Sequence, residues 1–436
     1  MTVSRYRMRS LAGAISLLLL MVLPAMGAQA RSQSAATQTT LDFWYSWTSA
    51  KPVQAVVKLF QARYPNIKIN ATHVPVTGSD IESNQKLFTA IAGGRPPDVT
   101  DLDITMVVPF AVRNGLIPLD ANVANAKIKA TDYFPMAWPP TQWQGHTYGL
   151  PTTVLPIGLL YWNKDIFKAA GLDPEKPPTT IAQLDSVKQK LTIKKNGQYT
   201  QFGLVPWYAI GYYLPAWAVP FGGSFYNGTT RKITADDAGV LNALQWEVGW
   251  AKKLDVATVD RYVASQRTSL QDLFFAGKMA MEVTGIWNIN SLRQYVPKMH
   301  WGVASVPSPT GRKSLYASAH YLSIPRGAQH LEEAFQFIRF ISQDKAAAAA
   351  LAKGDGAVPA NVAAAQDAAF TADPATHTAA SLLSVASAFP TLPIGDQYWN
   401  SLARQVDQAV HLKMSPQAAL SGVSSQMQAQ LNPYIH

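Results

Sequence analysis

Twelve tryptophans and seventeen tyrosines run through a 436-residue chain that contains no cysteine. An indole or phenol ring stacks on the apolar C–H face of a sugar, and a few polar side chains beside it read the hydroxyls. Position decides which rings could do this. Tyr45, Ser46 and Trp47 close an apolar strand that starts at Leu41. They sit at its carboxyl end, where open α/β sheets hold ligands. Trp44 alternates to the other side of that strand and is expected in the core. A second aromatic stretch, with Trp207 in Val205–Tyr208 and Trp217 shortly before Gly222 and Gly223, is proline-rich and aperiodic. It reads as a wall of loop and short helix, the glycine pair allowing close backbone approach. Trp399, in the stretch DQYWN, is a further candidate wall.

Catalytic signatures are weak by comparison. A glycosidase needs two carboxyl groups facing each other across the sugar. Glu82, Asp103, Glu282 and Asp396 supply carboxylates, but no spacing singles out a pair. Asp101-x-Asp103-x-Thr105 matches a phosphotransferase-like pattern over too few positions to carry weight. The chain has no G-x-S-x-G elbow, no H-E-x-x-H and no phosphate-cradling loop, and its eight histidines are scattered without metal-ligand spacing. The absence of cysteine excludes zinc–thiolate, iron–sulfur and cysteine-nucleophile chemistry. No metal and no cofactor are expected.

The elements that would hold these residues alternate between strand and helix. After the first strand, Val53, Val56, Val57 and Phe60 form the apolar face of a helix that Ser49 could cap. A strand from Ile67 follows, then a helix through Leu87, Phe88 and Ile91 that stops at Gly93-Gly94, then a short strand from Asp98 to Leu102. Asp103 ends that strand, whereas Asp98 and Asp101 read as structural. A second series holds a buried strand at Leu159–Trp162, a capping box at Thr180-x-x-Gln183, a helix through Leu244 and Val248, and a strand leading to Gly285-Ile286-Trp287. Residues 331–351 read as one long helix, alanine-rich in its latter half, and helical patterns fill the tail. The alternation predicts an α/β fold with a largely parallel sheet.

The N-terminus is a different kind of segment. Arg5, Arg7 and Arg9 precede an apolar run from Leu11 to Leu23, and Ala28-Gln29-Ala30 is a small-x-small site. This is the pattern of a secretory signal peptide over residues 1–30, cleaved after about Ala30. A membrane anchor fits less well, since the run falls short of the ~20 residues a span needs and Pro24 interrupts it. With no cysteine to carry a lipid, the expected compartment is the periplasm. Charged residues are only 15% of the chain and hydrophobic ones 48%, enough for a sizeable core. The net charge of +10 is dispersed rather than striped, so nucleic acid is not an expected partner.

Five segments in order carry a resemblance. They are FWYSWTSAKPVQAVVKLFQARYP at 43–65, AIAGGRPPDVTDLD at 90–103 with NGLIPLD at 114–120, YGLPTTVLPIGLLYWNKDIFKAAGLDPEKPPTT at 148–180, FFAGKMAMEVTGIW at 274–287, and GAVPANVAA at 356–364. The mature chain resembles the family 1 extracellular solute-binding proteins of ABC importers, the group with the maltose- and trehalose-binding proteins. The resemblance implies two α/β lobes joined by hinge strands, with a ligand cleft between them. One lobe would be roughly 31–150 plus 314–355 and the other 151–313 plus 356–436.

It also implies roles. Trp287 falls in the family's G-x-W pattern behind Gly285, where the ring is the sugar platform. Asp103 takes the place of an acidic residue that bonds hydroxyls. Thr152, at the implied hinge, stands where relatives carry a polar or acidic group, and His320 stands where relatives have a small residue. The implied function is capture of a carbohydrate, a di- or oligosaccharide, by a monomer that hands it to the membrane permease subunits of an ABC importer. The alternatives are a binding protein for glycerol 3-phosphate or a related phosphodiester, and a secreted glycoside-degrading enzyme.

Overall fold

The computed structural model describes residues 38–46, 50–74, 81–209, 213–266 and 272–435. The predicted leader, the proposed cap at Ser49 and the candidate Trp47 lie outside the described residues. Among the described residues no helix is long and apolar enough to cross a membrane.

Ten strands carry the architecture: β1 (Thr39–Tyr45), β2 (Ile67–His73), β3 (Val99–Asp103), β4 (Leu150–Pro156), β5 (Leu159–Asn163), β6 (Met281–Thr284), β7 (Trp301–Ser305), β8 (Leu315–Ser323), β9 (Val358–Pro359) and β10 (Ala386–Ser387). Alternation of side chains along a strand fixes its buried face. In β1, Leu41, Phe43 and Tyr45 go inward while Asp42 stays exposed. The larger sheet runs β9-β4-β8-β3-β1-β2, with β10 added alongside β8. The smaller sheet runs β6-β5-β7. The chain leaves the larger sheet between β4 and β5 and returns to it between β7 and β8.

The expectation of a largely parallel sheet needs correction. Among the described residues the parallel strand pairs are β1 with β2 and β3, and β8 with β10. The long strand β8 runs antiparallel to both β3 and β4, β9 is antiparallel to β4, and the smaller sheet is antiparallel throughout. The reason is that β8 returns from a distant part of the sequence and enters between two existing strands. Local helix–strand alternation says nothing about the direction of such an insertion.

Helices cover these sheets. Helix α1 (Ala50–Arg63) buries Val53, Val56 and Phe60, and α2 (Ile81–Ala92) ends before Gly94, whose φ of 69° suits a residue without Cβ. Helix α3 (Ile181–Leu191) opens on the predicted capping box. The Thr180 hydroxyl accepts from the Gln183 N–H at 3.2 Å, and the Gln183 side chain accepts from the Thr180 N–H at 3.2 Å. Helix α4 (Ala238–Leu254) is capped by Asp237 and buries Leu244 and Val248. Helix α5 (Asn288–Tyr295) follows directly on Trp287.

The long helix expected over 331–351 is two helices, α6 (Leu331–Gln343) and α7 (Lys345–Asp355). Asp344 makes the break. Its backbone is extended, and its carboxylate accepts from the Ala346 and Ala347 N–H groups at 3.0 Å each, so it caps α7 instead of continuing α6. The tail forms α8 (Gly395–Val410) and α9 (Pro416–Leu431).

Asp98, expected to be structural, clasps three segments. Its carboxylate accepts from the backbone of Asp42 at 3.0 Å and from Gln329 and His330 at 3.1 Å each. This fixes the start of β3 against β1 and against the loop before α6, and so sets where the end of β3 emerges.

Candidate functional site

A cleft of about 1080 Å³ opens at the carboxyl ends of β1 and β3. Its floor is a polar row laid across three strands. In the register, His320 of β8 faces Asp103 of β3 on one side and Thr153 of β4 on the other, and all three line the cleft. Asp103 is held by neighbours: its carboxylate accepts from the Thr105 N–H and hydroxyl at 2.9 Å each and from the Ser318 hydroxyl at 3.2 Å. Burial lowers the His320 pKa below the ordinary histidine value, against the opposing pull of Asp103, so the ring is neutral at pH 7. Thr153 is 1% exposed, and its hydroxyl has no hydrogen-bond partner among the described residues.

The wall above β1 and β3 contains Trp44, Tyr45 and Ser46. Ser46 donates its backbone N–H (2.9 Å) and its hydroxyl (3.0 Å) to Asp101, two residues before Asp103 on the same face of β3. Asp355, the last residue of α7, also lines the cleft. Neither of its carboxyl oxygens has a hydrogen-bond partner among the described residues, and burial, with the charge of Asp101 second, pushes its pKa up to about 8. Lys51 and Lys353 are the basic residues of the lining.

The opposite wall is built on the turn after β6. Tyr161, fully buried in β5, donates its hydroxyl to the Gly285 carbonyl at 3.0 Å, and the Ile286 N–H donates to the Pro156 carbonyl at 2.9 Å. These bonds lock the turn between the two sheets and aim Trp287 outward. Its ring folds back over Gly285: a Cβ there would lie 2.1 Å from the indole. That explains why a glycine stands two residues before the ring. Half-buried, the indole lines the cleft and also a second cavity of about 780 Å³ on its other side.

Of the residues singled out from sequence, Tyr45, Ser46, Asp103, Trp287 and His320 come together in the cleft. Trp207 lines the second cavity instead, with its indole N–H donating to Asp260 at 3.2 Å. The others are corrections. Trp217 is fully buried, donates to the Pro206 carbonyl at 3.1 Å and packs on Trp246 at 4.7 Å between ring centroids. It is core because the aperiodic stretch around it folds into a short buried helix, Leu214–Ala218. Gly223 does allow close approach, but to α4: a Cβ there would lie 2.7 Å from the Val240 nitrogen. Gly222 turns the chain beside it at φ 81°.

Thr152 points away from the cleft and donates to the His320 carbonyl at 3.1 Å, which pins β4 to β8. Trp399 packs edge-on against Tyr213 (4.9 Å) and Phe389 (5.2 Å), away from both cavities. Gly285 lies beneath the indole rather than on the cleft surface.

The lining residues that sequence reasoning missed include Asp101, Thr153, Trp44 and Asp355. Asp101 had a signal, since it shares a strand face with Asp103. Thr153 had one too, as the neighbour of Thr152 on the opposite face of β4. Trp44, assigned to the core by alternation, lies half-buried at the cleft with the Lys86 ammonium 4.8 Å from its ring centroid. Asp355 had none, because α7 reaches the cleft only through tertiary packing.

Comparison with known proteins places the chain among binding proteins. Residues 46–348 match the family model described as bacterial extracellular solute-binding protein. A binding protein of Brucella abortus is 28% identical over 323 residues, which are 73% of this chain and 74% of that protein. The sn-glycerol-3-phosphate-binding periplasmic protein UgpB of Escherichia coli is 25% identical over 281 residues, 62% of this chain and 61% of that one. Among solved structures, CpMnBP1 with mannotriose bound superposes with a TM-score of 0.78 at 29% identity, over 89% of this chain and all of that one. The architecture is the two-lobed α/β fold of periplasmic sugar-binding proteins.

Proposed function

The chain belongs to the bacterial extracellular solute-binding proteins, and from that premise we propose that it captures an oligosaccharide in the cleft beside Trp287 and presents it to the permease of an ABC importer. One observation carries the reading: a half-buried indole faces a polar row of Asp103, His320 and Thr153 across one cleft. The indole supplies an apolar face, and the row supplies acceptors and donors at fixed positions. Mannotriose, the ligand of the similar structure, is the kind of molecule this arrangement suits.

The mechanism is capture without turnover. The lobes are roughly 31–150 plus 314–355 and 151–313 plus 356–436, crossing at β4, before β8 and before β9, and a ligand touching both favours their closed arrangement in proportion to its differential affinity. The protein acts as a monomer in the periplasm, after a leader is cut behind about Ala30.

A phosphodiester suits the cleft less well than a neutral sugar, because Asp101 and Asp103 already offset Lys51 and Lys353 in its lining and the buried carboxyl group of Asp355 would have to face the phosphate. A glycosidase reading finds no facing pair among the described candidates Asp103, Glu282 and Asp396. Asp103 lines the cleft and Glu282 the second cavity, while Asp396 lines neither. Calorimetry against neutral sugars and sugar phosphates, with analysis of the mixtures for cleavage products, tests all three readings. Neutral-sugar binding without product is expected; release of a cleaved glycoside would overturn the proposal.

Gly285→Ala gives a sharper check on Trp287. The new methyl group meets the indole, so the ring must swing off its seat. Affinity for the bound sugar is expected to fall about tenfold. The double variant with Trp287→Ala should bind no worse than Trp287→Ala alone, because both changes remove one platform.

A further inference from the structure

The end of α7 touches both walls of the cleft within three residues. Gly354, in the last turn of the helix, packs against Pro52 near the start of α1, where a Cβ would lie 2.5 Å from the proline Cβ. Gly356, just past the helix, packs against the main chain of Trp287, where a Cβ would lie 2.8 Å from the tryptophan Cα. Ordinary carbon–carbon contact is about 3.5–4.0 Å, so a methyl group at either place would push its neighbour away.

The two positions call for glycine for different reasons. At 356 the backbone is left-handed, with φ 62°, which by itself suits a residue without Cβ. At 354 the backbone is helical, and alanine would make the better helix. What glycine provides at 354 is the close approach of α1.

The elements joined in this way are built on different sheets. Helix α1 connects β1 to β2 in the larger sheet, and β9, which follows Gly356, is part of that sheet. Helix α5 follows β6 of the smaller sheet, with Trp287 at the junction. A side-chain bond spans the same joint: the Asn290 amide of α5 donates to the Lys353 carbonyl of α7 at 3.3 Å. Pro52, Gly354, Trp287 and Asn290 all line the cleft, so the joint is part of the cleft itself.

We propose that Gly354, Gly356 and Asn290 are positioning residues for the ligand, with the end of α7 as the pivot that sets the spacing between the α1 wall and the Trp287 wall. This rests on the reading of the chain as a two-lobed sugar-binding protein and adds the joint through which its walls are held. The glycines act without touching the sugar. Their packing governs the fraction of molecules in the binding-competent arrangement, and that fraction scales the affinity for every ligand by one factor. A lost contact weakens only the ligands that make it.

The test uses distances and affinities together on the full mature chain. The sequence has no cysteine, so Lys58→Cys in α1 and Lys190→Cys in α3 provide a unique pair for spin labels. Both lysines are exposed, and Leu184 of α3 shares a core with Leu160 and Met281 of the smaller sheet. Gly354→Ala is expected to shift the ligand-free distance distribution to longer values and to weaken mannobiose and mannotriose by one common factor of about ten. Adding Pro52→Gly removes the atoms that the new methyl group meets. It should restore the distance and bring both affinities to within about threefold of native. Asn290→Ala should broaden the distribution and weaken both sugars about threefold. Thermal melts report folding, and if Gly354→Ala alone does not fold, the double variant and Asn290→Ala carry the test. Unchanged distances in the variants, a Gly354→Ala defect that Pro52→Gly leaves in place, or a loss confined to one sugar would each overturn the pivot. The ligand-free distances need no sugar. If neither sugar binds the native chain, the sugar-binding reading falls while the distances still decide the pivot.

Discussion

Trp287→Ala is expected to weaken sugar binding about a hundredfold and to leave the protein folded. The size of the effect follows from what the ring does. A buried aromatic anchor at the centre of a binding surface is worth about 2–4 kcal/mol on truncation, and 2.7 kcal/mol is a factor of one hundred. Trp287 holds that central position, since its indole is common to the cleft and the second cavity. Nothing on the polar floor replaces an apolar face. Asp103, His320 and Thr153 can hold hydroxyls, but hydrogen bonds exchanged with water contribute only about 0.5–1.5 kcal/mol each.

The fold should survive because the turn does not depend on the indole. The Tyr161 hydroxyl holds the Gly285 carbonyl, and the Pro156 carbonyl holds the Ile286 N–H, whatever side chain follows. Trp287→Phe keeps a smaller face and should recover most of the affinity. Calorimetry reads the binding and a thermal melt the fold. Unchanged affinity in Trp287→Ala would move the platform elsewhere, with Trp44 the next ring to test.

The contrast between Trp287 and Trp217 shows what a sequence can convey. The place of Trp287 on the cleft was legible because its signal is local: a strand, a glycine on which the ring must lie, and a helix start fall within a few residues. Trp217 was misread because its stretch lacks periodicity, and aperiodic apolar residues can form either a wall or a short buried helix. The difference lies in packing against Trp246, which comes from another helix.

The strands and most helices followed from period and caps, as the Thr180 capping box illustrates. Their pairing did not. His320 stands beside Asp103 and Thr153 only because β8 inserts between β3 and β4, and no local pattern records that register. The polar floor is therefore a product of topology, whereas the aromatic wall is a product of sequence.

Asp355→Asn is expected to stabilise the unliganded protein by on the order of 2–3 kcal/mol at pH 8 to 9, with the gain vanishing near pH 4. Burial, with the Asp101 charge second, raises this carboxyl group from 3.8 to about 8 in the folded chain. Between those values the unfolded chain has already released the proton that the folded chain retains. The folded state binds more protons there, so stability falls as pH rises from about 4 to about 8. Asparagine cannot ionise, so this loss disappears in the variant. The full shift would convert to about 6 kcal/mol, but local relaxation and entering water reduce what a buried charge costs.

A buried carboxyl group with two unpartnered oxygens is poor for stability, and its place on the cleft lining supplies a reason for it. Sugar hydroxyls donating to Asp355 would favour its charged form. Saturating sugar should therefore flatten the native protein's pH dependence, and the asparagine variant should bind several-fold more weakly while being more stable. Urea unfolding at pH 5, 7 and 9, with and without sugar, measures both effects. Equal pH slopes in the native and variant proteins would mean that Asp355 does not titrate in this window. A slope indifferent to sugar would mean that it titrates without touching the ligand. If both expectations hold, the end of α7 gives up stability to keep a hydrogen-bond acceptor ready for a hydroxyl.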